Sequence, residues 1–341
     1  MGQAQRKVKA AVIGAGGIAG GIHLPALKGI GTADIAAICD HDGSKAEKSA
    51  AMFSIPKAYR NYLQMLDEEK PEAAFVLVQP DQSFRIALDC LSRGIHTFVE
   101  KPAGITVYQA KTLERTALSQ KLICQVGFNR RYIPLIREVV QIMRGITPIQ
   151  QVEGYFLKHS SAAFYDGCSS ALMCDTIHAI DCVRWIAGGE PIKAATLISR
   201  YGDTPVDNAW NSVIRFDNGV SAIIKANYNT GGRTHGFEIH GPNASAFINI
   251  GFGNMNCSAK ILYSDGKGTF SISARGGGES SIQTLDGCEI AKSTEYYAYY
   301  GYQAEDEAFL NSVLTGQKPM ADISEAVKSM EMVDMIEQGR I

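Results

Sequence analysis

The chain has 341 residues, of which 45% are hydrophobic and 20% are charged, a composition typical of soluble globular proteins. At this length one hydrophobic core has usually stopped growing, so the sequence predicts two domains. The formal net charge of -2 provides no basic field for neutralising phosphates, which argues against nucleic acid as a partner.

The sequence also indicates a cytoplasmic protein with reduced thiols. Its first residues lead directly into a strand-like run and a glycine turn, with no room for a secretory signal peptide. We find no run of about 18 apolar residues that could span a bilayer, so we expect no membrane partner. The eight cysteines are scattered without a C-x-x-C pair, and we expect buried thiols and no metal site.

The segment from Val8 to about Gly127 alternates short apolar runs with longer stretches of helical period. Continuous apolar runs are typical of strands that helices cover on both faces. The predicted strands lie in VKAAVIGAG, IAAICD, AAFVLVQP, HTFVEKP and LICQVGF. This β-α-β repetition predicts an α/β domain with a doubly wound parallel sheet, which we assign to residues 1–128.

From residue 129 onward the pattern changes to alternating polar and apolar residues. The DNG of VIRFDNGVSAII and the GPN of FEIHGPNASAFINI each predict a hairpin. We therefore expect residues 129–341 to form an α+β domain with a mostly antiparallel sheet, open on one face. Helical period returns over about 303–341, and these helices are expected to pack back toward the first domain. The segment ARGGGESS, residues 274 to 281, predicts a mobile loop.

The first motif with a chemical role is a glycine turn that follows a strand and opens a helix. Glycines at such a turn let the backbone approach a pyrophosphate at the helix N-terminus. The next strand ends in Asp40, where an acid would bind the hydroxyls of a ribose. A purely structural turn beside a solvated aspartate is the alternative. The cofactor-binding residues predicted in the turn are Gly14, Gly16, Gly17, Ile18 and Ala19.

Asp40 also bears on which dinucleotide binds. A carboxylate at this position accepts hydrogen bonds from the ribose hydroxyls of NAD and repels the 2′-phosphate of NADP. The next residue is His41, not the arginine that usually binds that phosphate, although His41 and Lys45 could tolerate it. The sequence therefore favours NAD over NADP.

Two further strands end in polar residues, Gln79 and Pro80 in one case and Glu100 and Lys101 in the other. Ligands of open parallel sheets bind beyond the carboxyl ends of the strands, so we expect these four residues to bind the cofactor near its nicotinamide. Pro102 keeps Lys101 out of a helical conformation and permits a cis peptide bond. A surface lysine paired with Glu100 is the alternative.

Together these segments resemble the Gfo/Idh/MocA family, which takes its name from glucose-fructose oxidoreductase, inositol dehydrogenase and a rhizopine-catabolism protein. The resemblance spans nearly the whole chain, through GAGGIAG, HLPAL, ICD, QPD, EKP, GFNRRYIP and IHAIDCVRWIAG. It implies a Rossmann domain, an open-sheet domain, a nicotinamide cofactor, and oxidation or reduction of a sugar or polyol hydroxyl. It also implies a homodimer or homotetramer formed through the sheet.

The resemblance implies catalytic roles for Lys101 and His178, with an aspartate just before the histidine. Many family members have that aspartate four residues before the histidine, where this chain has Cys174, and here Asp175 stands three residues before it. Positions three and four residues apart share a helix face, so we keep Asp175 as a catalytic and substrate-binding residue. Phe84 replaces a histidine often found in the family after the proline of strand four.

Elementary chemistry supports the same assignments. Oxidising a secondary alcohol sends a hydride to the nicotinamide and a proton to a base. His178 can carry that proton near neutral pH, and Lys101 can stabilise the developing alkoxide. Asp175 could orient the imidazole or bind a second hydroxyl. A core-facing or helix-capping histidine is the alternative for His178.

Other polar and aromatic residues are weaker candidates. Arg131 is predicted to bind substrate together with Lys101, Asp175 and His178, the alternative being an ion pair with carboxylates. The aromatic run EYYAYYGY, residues 295–302, is expected to pack at a subunit interface or against a sheet rather than to stack on substrate.

Three functions remain open on the sequence. The favoured one is a dehydrogenase or reductase acting on a sugar, a cyclic polyol or a sugar derivative. In the second, bound NAD makes a transient ketone that permits elimination or glycosidic cleavage without net redox change. The third is a ligand sensor without turnover, against which the intact Lys101 and His178 argue.

Overall fold

The computed structural model describes residues 6–165, 169–251, 256–263 and 282–341. The loop expected at residues 274 to 281 therefore lies outside the described residues. The chain forms two compact units, each built from two segments. The first unit comprises Met1–Tyr132 and Glu295–Met330, and the second comprises Ile133–Thr294 and Glu331–Ile341.

The first unit contains a six-stranded sheet with every strand parallel to its neighbours. Its strands are β1 (Val8–Ile13), β2 (Ala33–Cys39), β3 (Lys57–Tyr59), β4 (Ala73–Val76), β5 (His96–Val99) and β6 (Cys124–Val126). They lie in the order β3-β2-β1-β4-β5-β6, so the direction of winding reverses between β1 and β4. The predicted doubly wound sheet is confirmed, and the short edge strand β3 has no counterpart among the five predicted runs because its residues are largely exposed.

Helices connect these strands, and the sheet has a buried aromatic centre. The helices are α1 (Leu24–Lys28), α2 (Gly43–Phe53), α3 (Tyr62–Glu69), α4 (Pro80–Ser92) and α5 (Val107–Gln120). Phe75 of β4 and Phe98 of β5 lie with their ring centroids 5.2 Å apart, and the ring of Phe309 meets Phe75 edge-on at 5.2 Å. Such offset and edge-on contacts add to the free energy of burying apolar surface.

Within the described residues, the second unit contains an eight-stranded sheet. Its strands are β7 (Gln151–His159), β8 (Pro191–Ser199), β9 (Ala209–Phe216), β10 (Ser221–Asn227), β11 (Asn229–Gly241), β12 (Ala244–Asn249), β13 (Ser258–Tyr263) and β14 (Ile282–Asp286). They lie in the order β14-β13-β12-β11-β7-β10-β9-β8, and β7 with β10 is the parallel pair in an otherwise antiparallel sheet. The hairpins predicted at DNG and GPN are confirmed as β9 with β10 and β11 with β12.

Helices of the second unit pack on its sheet. They are α6 (Pro134–Ile146), α7 (Ile177–Ala187) and α8 (Gly287–Ala291). Helix α7 packs on β7 and β10, α6 packs on β12 and β13, and α8 packs on α6. The residues that face these helices are buried along β7 and β10, while the alternate residues are partly exposed. This alternation confirms the mostly antiparallel sheet domain.

The C-terminal part of the chain divides between the units. It contains α9 (Tyr296–Tyr299), α10 (Tyr302–Thr315) and α11 (Ile323–Gln338). Helix α10 packs against α1 and β1, which places Glu295–Met330 in the first unit. The first unit also extends to Tyr132, four residues past the boundary expected after residue 128. Across the described ranges, every helix is too short or too polar to cross a membrane.

Candidate functional site

The first glycine of the predicted cofactor turn occupies a position that only glycine can take. Gly14 has a φ of +104°, and a Cβ there would lie 2.3 Å from the carbonyl oxygen of Leu77. Gly16 and Gly17 are exposed, and within the described chain no neighbouring atom lies within 4 Å of where their Cβ would be. The turn is therefore tight at its base and open on its outer side, which fits a pyrophosphate that approaches the backbone closely.

The carboxylate of Asp40 is attached to the same glycine turn. Its Oδ2 accepts a hydrogen bond of 2.8 Å from the backbone N–H of Ala15, and its Oδ1 accepts one of 2.9 Å from Asp42. The imidazole of His41 lies 3.2 Å from Oδ1 and is almost fully exposed. These bonds hold the carboxylate just past the end of β2, which fits the role predicted for it at a ribose.

Gln79 and Pro80 follow β4 and begin α4. Gln79 is the exposed N-cap residue of this helix, in an extended conformation, and Pro80 is its first residue. Proline suits the first helical position because the N–H it lacks has no partner within the helix. Both residues thus lie beyond the carboxyl end of a strand next to β1, where the winding direction reverses.

Lys101 lies just past the end of β5, and its backbone is held on both sides. The Lys101–Pro102 peptide bond is cis. The Oε2 of Glu100 accepts a hydrogen bond of 3.1 Å from the N–H of Lys101. Beyond the proline, the N–H of Gly104 donates to the carbonyl oxygen of Pro102 at 2.8 Å. Glu100 itself is 8% exposed, and its predicted contact with cofactor remains a prediction.

His23, for which the sequence predicts no role, lies against the Glu100 carboxylate. His23 ends a π-helical turn, Ala19–His23, that precedes α1. Its Nε2 is 3.0 Å from Oε1 of Glu100, and its ring is completely buried. The HLPAL segment contains this histidine, but its partner lies 77 positions away, so spacing along the chain did not reveal the contact.

Asp175 and His178 belong to the second unit, on one continuous helical segment. A π-helical turn, Leu172–Thr176, leads directly into α7, in which His178 is the second residue. Because a π-helical turn is wider than an α-helical one, counting three or four residues does not by itself define a shared face. Both side chains are partly exposed.

Lys158 of β7 pairs with Asp175, a contact that no motif in the sequence predicts. Its ammonium forms an ion pair with Oδ2 of Asp175 and lies 5.0 Å from the centroid of the Tyr228 ring and 5.5 Å from that of Phe156. The hydroxyl of Tyr228 lies 3.2 Å from the same Asp175 oxygen and 2.9 Å from the hydroxyl of Thr176. Asp175 is thus balanced by a nearby cation within its own unit.

The remaining candidates lie in the first unit. Arg131 is 1% exposed, and its guanidinium donates to the carbonyl oxygen of Met320 at 2.8 Å and lies 3.5 Å from Glu325. Its predicted contact with substrate remains a prediction. In the run from 295 to 302 the tyrosines pack on one another, with the rings of Tyr296 and Tyr300 stacked at 4.7 Å.

The predicted buried thiols are confirmed for most cysteines. Within the described residues all the cysteines are free, and all except Cys288 are buried. Burial raises the pKa of Cys39 to about 11 and that of Cys90 to about 12. At neutral pH these thiols are therefore protonated and poorly suited to nucleophilic chemistry.

A parallel sheet wound in this order, with a tight glycine turn after β1 and an acid after β2, defines a dinucleotide-binding Rossmann unit. Residues 8–128 match the family model described as an oxidoreductase family with an NAD-binding Rossmann fold, and residues 148–247 match the C-terminal domain model of the same family. The chain belongs to the Gfo/Idh/MocA oxidoreductase family, as the sequence resemblance predicted.

Curated relatives of this chain are named as dehydrogenases. A trans-1,2-dihydrobenzene-1,2-diol dehydrogenase of Mus musculus is 26% identical over 54% of this chain and 58% of that enzyme. The scyllo-inositol 2-dehydrogenase (NAD(+)) of Bacillus subtilis is 25% identical over 72% of this chain and 74% of that enzyme. The match to the mouse enzyme thus covers less than two thirds of its length.

Solved structures share the fold over almost the entire chain. A dehydrogenase from Chromobacterium violaceum superposes with a TM-score of 0.86, covering 98% of this chain and 96% of that one. Its sequence identity of 18% is low, so this likeness concerns the fold alone.

Proposed function

We propose that this protein is an NAD-dependent dehydrogenase or reductase that acts on a hydroxyl of a sugar, a cyclic polyol or a sugar derivative. The observation that carries the proposal is the anchoring of Lys101 beyond the carboxyl end of β5 by the Glu100 carboxylate. That anchoring occurs in the unit that also contains the open glycine turn and Asp40. The diol and inositol dehydrogenases among the relatives support the substrate class.

In the proposed reaction the dinucleotide accepts or returns the hydride, and the protein handles the proton. Lys101 donates a hydrogen bond to the reacting oxygen and stabilises negative charge as it develops. His178 removes the hydroxyl proton during oxidation and returns it during reduction. Asp175, paired with Lys158, contributes to a polar surface for a further substrate hydroxyl rather than acting as a proton carrier.

The preference for NAD over NADP is part of the proposal. Asp40 is fixed by two backbone N–H groups, so its negative charge cannot easily swing away from a 2′-phosphate. Repulsion at this position disfavours NADP, whereas the hydroxyls of NAD donate to the carboxylate. We further propose that the protein works in the cytoplasm as a homodimer or homotetramer formed through the sheet of the second unit.

The test is a comparison of Lys101→Ala and His178→Ala with the unmodified protein. Hydride transfer is followed by the absorbance of reduced dinucleotide while inositols, aldoses and sugar acids are offered with NAD or NADP. Each substitution should lower kcat by about a hundredfold to ten-thousandfold, because it removes a group that moves or balances a proton. NADH binding, measured by fluorescence, should stay nearly unchanged.

Lys48→Ala is the matched control, because Lys48 is an exposed lysine of α2. It should retain full kcat and NADH affinity. Wild-type kcat in Lys101→Ala or His178→Ala would refute these catalytic roles. The wild-type protein could instead convert substrate with one dinucleotide that stays bound, changes redox state at most once and is never released. That result would refute net dehydrogenation and indicate the redox-neutral mechanism.

A further inference from the structure

A cluster of buried ionisable groups in the first unit contacts the backbone of Lys101 through Glu100. The Nδ1 of His23 is 2.9 and 3.1 Å from the two carboxylate oxygens of Asp306, and its Nε2 is 3.0 Å from Glu100. His23 and Asp306 are fully buried, and Glu100 is nearly so. A third acid, Glu305, is also buried and has an oxygen within 4.8 Å of ligating atoms of His23 and Glu100.

The geometry fits a proton on each nitrogen of the His23 ring. A neutral imidazole carries one N–H, and its other nitrogen would turn a lone pair toward a carboxylate. With carboxylates against both nitrogens, two N–H donors satisfy every contact, and the resulting positive charge offsets the burial of the acids. The cluster is therefore most stable when His23 is an imidazolium.

The electrostatics of the cluster agree with this protonation state. Burial lowers the pKa of His23, but the charge of Asp306 and the hydrogen bonds to Asp306 and Glu100 outweigh it and raise this pKa well above its ordinary value. Burial raises the pKa of Asp306, and the charge of His23 partly reverses that shift. The titratable groups facing the ring are Glu100 after β5, and Tyr302, Glu305 and Asp306 of α10.

The cluster connects three parts of the first unit. His23 lies on the helical segment that starts at the glycine turn, Glu100 ends β5, and Asp306 belongs to α10. The second oxygen of Glu100 accepts the N–H of Lys101. A Cβ on Gly127 would lie only 3.1 Å from the Glu100 carboxylate, which shows how tightly that group is enclosed.

We propose that His23, as a buried imidazolium held by Asp306, is a positioning residue that fixes the backbone of Lys101 relative to the cofactor-binding helix by way of Glu100. His23 contacts neither substrate nor cofactor in this role. The expected effect of His23 on kcat rests on the proposed function, in which Lys101 contacts the substrate. The charge state of His23 stands independently of that function.

The first test reads that charge state directly in the wild-type protein. Nitrogen NMR of histidine side chains at neutral pH should show one ring with both nitrogens protonated, and this signal should be absent in His23→Gln. The signal should persist as the pH rises past about 6.5, where an ordinary histidine loses its proton. A His23 ring carrying a lone pair at neutral pH would overturn the proposal.

The second test measures, through kcat, whether His23 positions Lys101. His23→Gln keeps a polar side chain without the charge, and it should lower kcat by at least about tenfold while NADH affinity changes little, because small misplacements of a reacting group are costly. Asp306→Asn should also lower kcat, and it should lower the pKa of His23 because the charge of Asp306 is the main influence that raises it. The double variant should lower kcat little more than His23→Gln alone, because both substitutions disrupt the same contact between His23 and Asp306.

His96→Gln is the matched control. His96 begins β5, at the opposite end from Glu100, and its Nδ1 accepts the N–H of Ile123 at 2.9 Å. This variant should keep wild-type kcat. Wild-type kcat in a folded His23→Gln protein would overturn the positioning role. If Lys101→Ala retained activity while the NMR signal of a charged His23 was present, the proposed function would fail and the protonation state would stand.

The free energy of unfolding should depend on the protonation of His23. Because the pKa of His23 is raised in the folded protein, its stabilising contribution is fully present below about 6.5 and is lost as the pH rises through the folded value. The free energy of unfolding of wild type should therefore fall relative to that of His23→Gln at alkaline pH. A constant difference between the two proteins across that range would contradict a titrating His23.

Discussion

At the scale of single residues, the acids beside the two proposed catalytic groups each contact a basic side chain. Glu100 next to Lys101 is held by His23, and Asp175 near His178 is held by Lys158. Buried carboxylates are stable only when paired or hydrogen-bonded, so the His23 contact explains how Glu100 is kept in an enclosed position. Removing either basic partner would leave a carboxylate without its compensating group next to a proposed catalytic residue.

Asp40 allows a residue-scale prediction about the cofactor. Asp40→Ala should weaken NAD binding about tenfold to a hundredfold, the range expected when hydrogen bonds to a charged group are lost, and should weaken NADP binding much less. Titration of each reduced dinucleotide by fluorescence measures both affinities.

Asp40→Asn is the matched variant, because its carbonyl oxygen can still accept from a backbone N–H. It should disturb the glycine turn less than alanine does and improve NADP binding relative to NAD. If the ratio of the two affinities stayed at its wild-type value in both variants, the carboxylate would have no part in cofactor choice.

At the scale of elements, two π-helical turns lie beside candidate functional residues. The turn Ala19–His23 ends at the buried His23, which contacts Glu100, and the turn Leu172–Thr176 contains Asp175. Single π-helical turns within helices are frequent at functional sites because they redirect side chains that an α-helix would place elsewhere.

The glycine turn provides a prediction at the same scale. Gly14→Ala should lower the free energy of unfolding of the cofactor-free protein by more than about 1 kcal/mol, because an alanine at this φ is strained and its Cβ meets the carbonyl of Leu77. Gly16→Ala should leave that free energy nearly unchanged but weaken NADH binding at least about tenfold, because its methyl group fills space next to the pyrophosphate. Denaturant unfolding and fluorescence titration measure the two effects. Equal losses of stability in both variants would contradict this division of roles.

At the scale of the whole molecule, the sheet of the second unit presents apolar side chains to solvent. Cross-strand pairing assigns them to one face, opposite the face on which α6 and α7 pack. The exposed hydrophobic residues of this face are Leu197, Val213, Phe247 and Ile282. On this face Leu197 and Val213 lie on the neighbouring strands β8 and β9, whereas Phe247 and Ile282 lie on β12 and β14. Exposed apolar side chains on a sheet face are typical of protein interfaces, which supports the proposed oligomer.

That face can be tested directly. Leu197→Glu combined with Val213→Glu should reduce the mass measured by light scattering to that of a monomer, because two buried charges would oppose association. Met52→Glu is the control, since Met52 is 61% exposed in the first unit, close to the 57% of Val213. A wild-type protein that is already monomeric, or a double variant that keeps the wild-type mass, would refute association through this face.

The sequence by itself determined those features that depend on neighbours close in the chain. Apolar runs and their periods predicted five of the six parallel strands. The DNG turn that ends at Gly219 and the GPN turn before Ala244 predicted two hairpins. The structure confirms all of these elements. The need for glycine at Gly14 was also readable, because a turn between a strand and a helix constrains φ locally. Family membership followed from the combination of such segments.

Only the tertiary structure decided which charges meet. His23 and Asp306 are 283 positions apart, and Lys158 and Asp175 are 17 positions apart on different elements, so no local pattern marks either pair. The physical reason is that the free energy of a charge depends on its burial and its partners, which are set by packing. The return of α10 to the first unit brings Asp306 to His23, and the position of β7 beside α7 brings Lys158 to Asp175.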